Sequence, residues 1–229
     1  MKILSFIFLL LTSIYPCVAF SDMKGQSTFG IVEPKVIMDK DRSAYNIKNT
    51  DKKRAWLVQS WIEEYSEEKT NKILSTPEIF RVNPDSSYRI NLTKKGTLPD
   101  DRESVFWVVA HSVPEHGDNL PENRINIAYR FKSLLIYRPN SIKMMKFNPE
   151  ELSWKETDGG VELSNNTPFA ITITKLNIDG VDIKLDDDLI MPFSQKKTNH
   201  KAYSGAKVVF SFKNDHGAIN VANAQIKKY

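Results

Sequence analysis

The chain has 229 residues and a formal charge of +4, from 32 basic and 28 acidic side chains mixed along its length. That balance excludes a nucleic-acid binder, which needs a clustered basic stripe. The single cysteine excludes a disulfide-built scaffold, and the length suffices for one large domain or two small ones.

Residues 1–19 read as a secretory signal peptide. Lys2 supplies a positive start, residues 3–15 are an apolar run, and Cys17-Val18-Ala19 has the small-x-small form of a cleavage site. The run is too short for a membrane span of about 20 residues, and no later segment is apolar enough for one. A lipid anchor on Cys17 is disfavoured by the bulky Tyr15 and Pro16 before it. Cleavage after Ala19 removes the cysteine, so the exported chain must be stabilised by its core alone.

Strand-like runs then follow at residues 43–48, 56–63, 88–92 and 105–113, and again at 161–164, 170–178 and 206–213. Turn residues separate them: Asn49-Thr50-Asp51, Asn83-Pro84-Asp85, His116-Gly117-Asp118, Asn165-Asn166-Thr167-Pro168 and Asn214-Asp215-His216-Gly217. Short runs at this spacing predict an all-β chain built of β-sandwiches. No long amphipathic helix and no internal repeat is visible; residues 62–72 are charged, with only a weak apolar stripe.

Residues 125–139 carry the strongest signal. Ile125, Ile127, Tyr129 and Phe131 alternate with Asn126, Ala128, Arg130 and Lys132, the period of two of a half-buried strand. From Leu134 to Ile136 both faces turn apolar. A strand of that length would run roughly 45–50 Å at about 3.3 Å per residue. It would outgrow its sheet and leave a long apolar edge of the kind that recruits other chains. Pro139 cannot continue a central ladder, which places a boundary just beyond it: signal peptide 1–19, a first domain 20–141 containing the long strand, and a second domain 142–229.

No catalytic or metal motif emerges. His111, His116, His200 and His216 have no ligand spacing. No Gly-x-Ser-x-Gly, phosphate loop or His-Glu-x-x-His occurs. Adjacent acids such as Glu63-Glu64 and Glu67-Glu68 read as solvated pairs, and Asp186-Asp187-Asp188 reads as a solvated loop rather than a calcium site. The expectation is a binding protein, not an enzyme, with no cofactor.

Several segments together resemble a known family. They are Leu57-Val58-Gln59-Ser60-Trp61, residues 75–82 from Ser75-Thr76-Pro77, residues 98–107 from Leu98-Pro99-Asp100, and Ile136-Tyr137-Arg138-Pro139. In the second half they are residues 163–169 from Leu163-Ser164-Asn165, Met191-Pro192-Phe193-Ser194, and Asn214-Asp215-His216-Gly217. In this order, behind a signal peptide, they resemble the PapD-like periplasmic pilus-assembly chaperones of the chaperone–usher pathway. The resemblance implies two immunoglobulin-like β-sandwich domains arranged around a cleft, a periplasmic location, pilus (fimbrial) subunits and an outer-membrane usher as partners, and no integral membrane segment. It implies donor-strand complementation, in which Ile125, Ile127 and Tyr129, continued by Phe131, fill the groove of a subunit that lacks its last strand.

The resemblance also implies two charged elements. The family grips the subunit's C-terminal carboxylate with two basic residues in the cleft. Lys35 stands where the family has arginine, and Leu134 stands where it has lysine. A leucine cannot bind a carboxylate. Lys132 lies two residues earlier on the same strand face, about 6.6 Å away, so the expected anchor is Lys35 with Lys132. Glu103, Arg138 and Asp215 match a charged triad that bridges the two domains. The short loop at 115–124 matches members that build rod-like pili. Leu134 is also the feature that supports a second reading, a diverged chaperone serving another exported client. A third is a two-domain β-rich adhesin, which would more naturally display an exposed aromatic platform. The exposed edge would further let the free chain self-associate.

Overall fold

A computed structural model describes residues 29–115 and 127–228. The signal-peptide reading and most of the 115–124 loop fall outside them, as does Ile125. The described residues form seventeen strands and one turn of 3₁₀ helix, in two β-sandwiches, as the turn-punctuated runs predicted.

The first sandwich contains β1 (Phe29–Ile31), β2 (Lys35–Met38), β3 (Arg42–Asn49), β4 (Trp56–Glu64), β5 (Ile73–Thr76), β6 (Ile79–Val82), β7 (Ser86–Lys94), β8 (Ser104–Pro114) and β9 (Tyr129–Tyr137). One sheet runs β1-β3-β7-β5 and the facing one β2-β9-β8-β4-β6. Alternation does the sorting. Tyr45 and Ile47 on β3, Val58 and Ile62 on β4, and Ile90 and Leu92 on β7 all turn into one fully buried core. A buried hydroxyl chain crosses it: the Tyr45 phenol meets Ser60, whose Oγ lies 2.7 Å from Ser75. Buried hydroxyls are costly without such partners.

The second sandwich contains β10 (Leu152–Thr157), β11 (Gly160–Asn165), β12 (Ile171–Ile178), β13 (Val181–Ile183), β14 (Leu189–Ile190), β15 (Gln195–Thr198), β16 (Lys207–Lys213) and β17 (Ile219–Gln225). Its sheets are β10-β11-β15 and β13-β12-β16-β17, with β14 also on β12. Trp154, Leu163, Ile173, Val208 and Phe210 fill the core between them. Gly160 opens β11 at φ +141°, with the Thr198 carbonyl where a Cβ would stand, so only glycine fits. A third, smaller apolar cluster joins the sandwiches: Val105 and Ile136 from the first against Ala170 and Leu189 from the second. That contact is why β8 and β9 read as apolar on both faces near residues 105 and 134–136.

The long strand is shorter than predicted. β9 spans nine residues, 129–137, or about 30 Å. Its partner β8 ends at Pro114, and their ladder runs from Ser104↔Tyr137 to Ser112↔Tyr129. Ile127 and Ala128 lie before the strand and are exposed. At the other end Arg138 still donates its amide to the Met38 carbonyl at 2.9 Å. Pro139 has no N–H to continue, and the strand stops.

Candidate functional site: a strand edge that ends in a charged cleft

β9 is paired along its whole length with β8 on one side only. On the other side β2 lies parallel to it, but only from Lys35↔Leu134 to Met38↔Tyr137. Residues 129–133 carry no strand on their outer edge among the described residues. The chain before β2 crosses between the sheets here instead. Glu33 is held to Asn46, which donates from its backbone and side chain at 2.9 and 2.7 Å, and the Glu33 carbonyl accepts from Ser133 Oγ at 2.6 Å.

The side chains of this edge divide by depth. Phe131 is half-buried and meets Phe29 at a ring separation of 5.8 Å, while Phe29 stacks on Trp56 at 4.6 Å. Tyr129 leans on the same aromatic group, 5.6 Å from Trp56 and 5.9 Å from Phe131, yet remains 44% exposed. Ile127 is 50% exposed. The edge is thus an apolar surface continuous with the first core, seated at one end and open at the other.

The edge leads into the cleft between sandwiches. Lys35 opens β2 opposite Leu134, with its side chain only 12% exposed, and its sole ion contact among the described residues is Asp215 Oδ1 at 3.9 Å. Burial pushes the Lys35 ammonium below its usual range. Asp215 and Glu103 pull it back up, while Arg138 and Lys213 add to the fall. Two openings meet at this residue. One, of about 320 Å³, is walled by Trp107, Leu134, Tyr65 and Lys213; the other, of about 630 Å³, by Arg138, Lys146, Phe169, Asp215 and again Lys213.

Lys132 is placed elsewhere. Its ammonium lies 3.0 Å from Glu63 and 2.8 Å from Glu67, above the Trp107 ring. Glu63 also holds Arg130 and accepts from Trp61 Nε1 at 2.8 Å. Burial works to raise the Glu63 carboxyl, but Trp61, Lys132 and Arg130 outweigh it and hold it below the usual range. Lys132 is held by Glu63 and Glu67 and is not among the residues that wall either opening. The acids Glu63 and Glu67, read from sequence as solvated, are its partners.

Glu103, Arg138 and Asp215 are brought together. Arg138 Nε donates to Glu103 Oε1 at 2.7 Å, and its two terminal nitrogens donate to Asp215 at 2.7 and 3.0 Å. Glu103, 3% exposed, accepts from the Ala170 amide at 2.7 Å, and its own amide donates to the Pro168 carbonyl at 2.9 Å. Buried Asn165 fixes that loop by donating to the Phe169 and Met191 carbonyls. Burial pushes the Glu103 carboxyl up against the pull of Arg138.

The sequence reading missed one interdomain link. The Tyr65 hydroxyl donates to Asp187 Oδ1 at 2.7 Å, and Asp187 also accepts from the Leu189 amide and pairs with Lys196 at 3.6 Å. Burial, then Asp187, pushes the Tyr65 phenol up. Asp187 is therefore a structural acid rather than a solvated one. Among the described residues no group of His, Cys, Asp or Glu could hold a metal, and no helix is long and apolar enough to cross a membrane.

Two sandwiches set around a charged cleft, with an open strand edge running into it, define a chaperone of the immunoglobulin-like class. Sequence profiles agree. Residues 30–143 match the N-terminal domain of PapD, a pili and flagellar-assembly chaperone, and residues 148–224 match the C-terminal domain of the pili assembly chaperone PapD. The chain belongs to this family. It is 29% identical over 178 residues to the chaperone protein FocC of Escherichia coli, covering 76% of this chain and 78% of that one. It is 28% identical over 177 residues to the chaperone protein FimC of E. coli K12, covering 76% and 73%. The SafB chaperone of Salmonella enterica, solved in complex with the SafA pilin, shares the fold at a TM-score of 0.74 and 22% identity, over 88% of this chain and 97% of that one.

Proposed function

We propose that the protein works in the periplasm, holds a pilus subunit by completing its unfinished sheet, and passes it to an outer-membrane usher. The observation that carries the mechanism is the edge of β9 at residues 129–133, which is open until β2 takes it over at Lys35. A guest strand added to that edge must stop where β2 begins. For its C-terminal carboxylate to arrive at Lys35, the guest runs parallel to β9 and collinear with β2. Ladder bonds then supply pairing that ignores guest sequence, while Ile127, Tyr129 and Phe131, with Ile125 ahead of them, set the register. Each large apolar side chain buried against the guest contributes about 1.5–3 kcal/mol, set against the cost of association. Lys35 provides the first cation for the terminus, and the Glu103–Arg138–Asp215 triad keeps the cleft in shape around it.

The test is affinity capture from periplasmic extracts with mass spectrometry, using wild type and an Ile127→Asp/Tyr129→Asp double variant. Ile127 is exposed and Tyr129 gives up ring contacts to Trp56 and Phe131, so the free chain should stay folded with a small loss of melting temperature, checked by circular dichroism. Wild type is expected to recover small exported polypeptides whose last strand alternates apolar residues. The double variant is expected to lose them by at least about tenfold, since about 1.4 kcal/mol suffices for that. Equal recovery of such clients by both forms would overturn the proposal.

A further inference from the structure

The geometry points to Lys213, from the second sandwich, as the cation that joins Lys35 in gripping the guest's terminal carboxylate. This rests on the edge reading above and specifies the chemistry at the edge's end. Lys213 closes β16, where it lies opposite Thr172 and Ile219, and it is exposed. It lines both openings that meet at Lys35, whereas Lys132 lines neither.

Availability separates the two lysines further. Lys132 is committed to two carboxylates at 2.8 and 3.0 Å, and a guest terminus would have to displace both. Lys213 has no ion pair among the described residues. Lys35 is scarcely better neutralised: Asp215 is 3.9 Å away, and both Asp215 oxygens already accept from Arg138. Two ammonium groups are thus held around one cavity system with their counter-charge incomplete, and a carboxylate between them relieves that repulsion.

The acids that face them do not fill the role. Asp187 on the smaller opening is taken by Tyr65 and Lys196, which leaves Asp188 as the remaining acid there. The larger opening has Asp215 as its acid against Lys35, Arg138, Lys146 and Lys213. Leu134 and Trp107, which cannot bind charge, wall the approach and thin the solvent around it, so each charge-assisted bond gains strength. A carboxylate held this way touches both sandwiches, Lys35 on β2 and Lys213 on β16.

The test uses an N-acetylated synthetic peptide of alternating valines and threonines, made once with a free C-terminal carboxylate and once as the C-terminal amide. Affinities are measured by fluorescence anisotropy on wild type and on Lys35→Gln, Lys132→Gln, Lys213→Gln and Lys213→Arg. Wild type is expected to prefer the acid peptide by about tenfold or more. Lys213→Gln should lose most of that preference, Lys213→Arg should restore it, and Lys132→Gln should keep it. A preference that survives Lys213→Gln, or that vanishes in Lys132→Gln alone, would overturn the assignment while leaving the edge reading intact, as would equal binding of acid and amide by wild type. Failure of both peptides to bind wild type would overturn the edge reading and the assignment together.

Discussion

Arg138 donates to two carboxylates from different sandwiches, and the fold shifts those carboxyls in opposite directions. Burial pushes Glu103 above its ordinary 4.5 despite Arg138. The folded chain therefore takes up that proton more readily than the unfolded chain. The resulting stabilisation is complete below 4.5 and is lost as pH rises through the folded value. Burial also works to raise Asp215, but Arg138 and Lys35 outweigh it and hold the carboxyl below its ordinary 3.8. Its stabilisation is present above 3.8 and is lost as pH falls through the folded value. Urea unfolding across pH should show this directly. Glu103→Gln should remove the decline on the rising side, and Asp215→Asn should remove part of the loss at the acid end. Magnitudes differ as well. Glu103→Ala strands a buried guanidinium, at about 3–5 kcal/mol. The Asp215 side chain is 42% exposed, and solvent screening brings its share toward about 0.2–1 kcal/mol. All three residues were legible because each sits in a short recurrent segment. Tyr65 and Asp187 were not: they are 122 positions apart, and neither a lone tyrosine nor an acidic run announces a partner at that distance.

At the level of the strand, legibility followed burial. β3, β4, β7 and β8 were visible because one face of each is sealed in a core and so must alternate. β2, β5 and β6 have four residues each, too few for a period to show. That omission mattered, because β2 decides where the open edge of β9 ends. The overestimate of β9 has the same root: Ile127 and Ala128 lie outside the strand and are exposed, so the apolar pattern leading into β9 reports a face that awaits a partner, not one already paired. Glu63 on β4 reaches across β8 to hold Arg130 and Lys132 of β9. Removing it leaves two like charges side by side on the strand that must receive a guest. Glu63→Ala should cost about 1–3 kcal/mol, the penalty for stranding partners of a buried acceptor. It should also speed amide hydrogen exchange in residues 129–133 by about tenfold, with amides of β12 and β16 unchanged. Protection of β9 equal to wild type would show that the ladder to β8 holds the edge without help.

For the whole molecule, the question is what keeps the cleft at one width. The two large cores are separate, and among the described residues a small cluster, Val105 and Ile136 against Ala170 and Leu189, is shared between them. Interfaces of that kind permit relative motion unless polar links oppose it. Polar links near the cluster include the Arg138 triad and the Tyr65–Asp187 bond. The phenol cannot easily relinquish its proton beside that carboxylate, since burial and Asp187 both push it up. The bond is therefore not lost to ionisation of the phenol as pH rises through the usual tyrosine range. The Asp187 side chain is 42% exposed, so solvent screening brings this bond toward about 0.2–1 kcal/mol, and it acts on the interdomain angle rather than on either core. Tyr65→Phe should leave the unfolding of each sandwich nearly unchanged while broadening the interdomain distance distribution, measured by spin-label pairs placed on Lys48 and Lys175. Asp187→Asn should act through the same contact, so the double variant should be no looser than the worse single one, with a coupling of about 0.5–3 kcal/mol in the cycle. Strictly additive broadening would mean that the two side chains act through different contacts, and no broadening in either variant would mean that this bond does not set the width of the cleft.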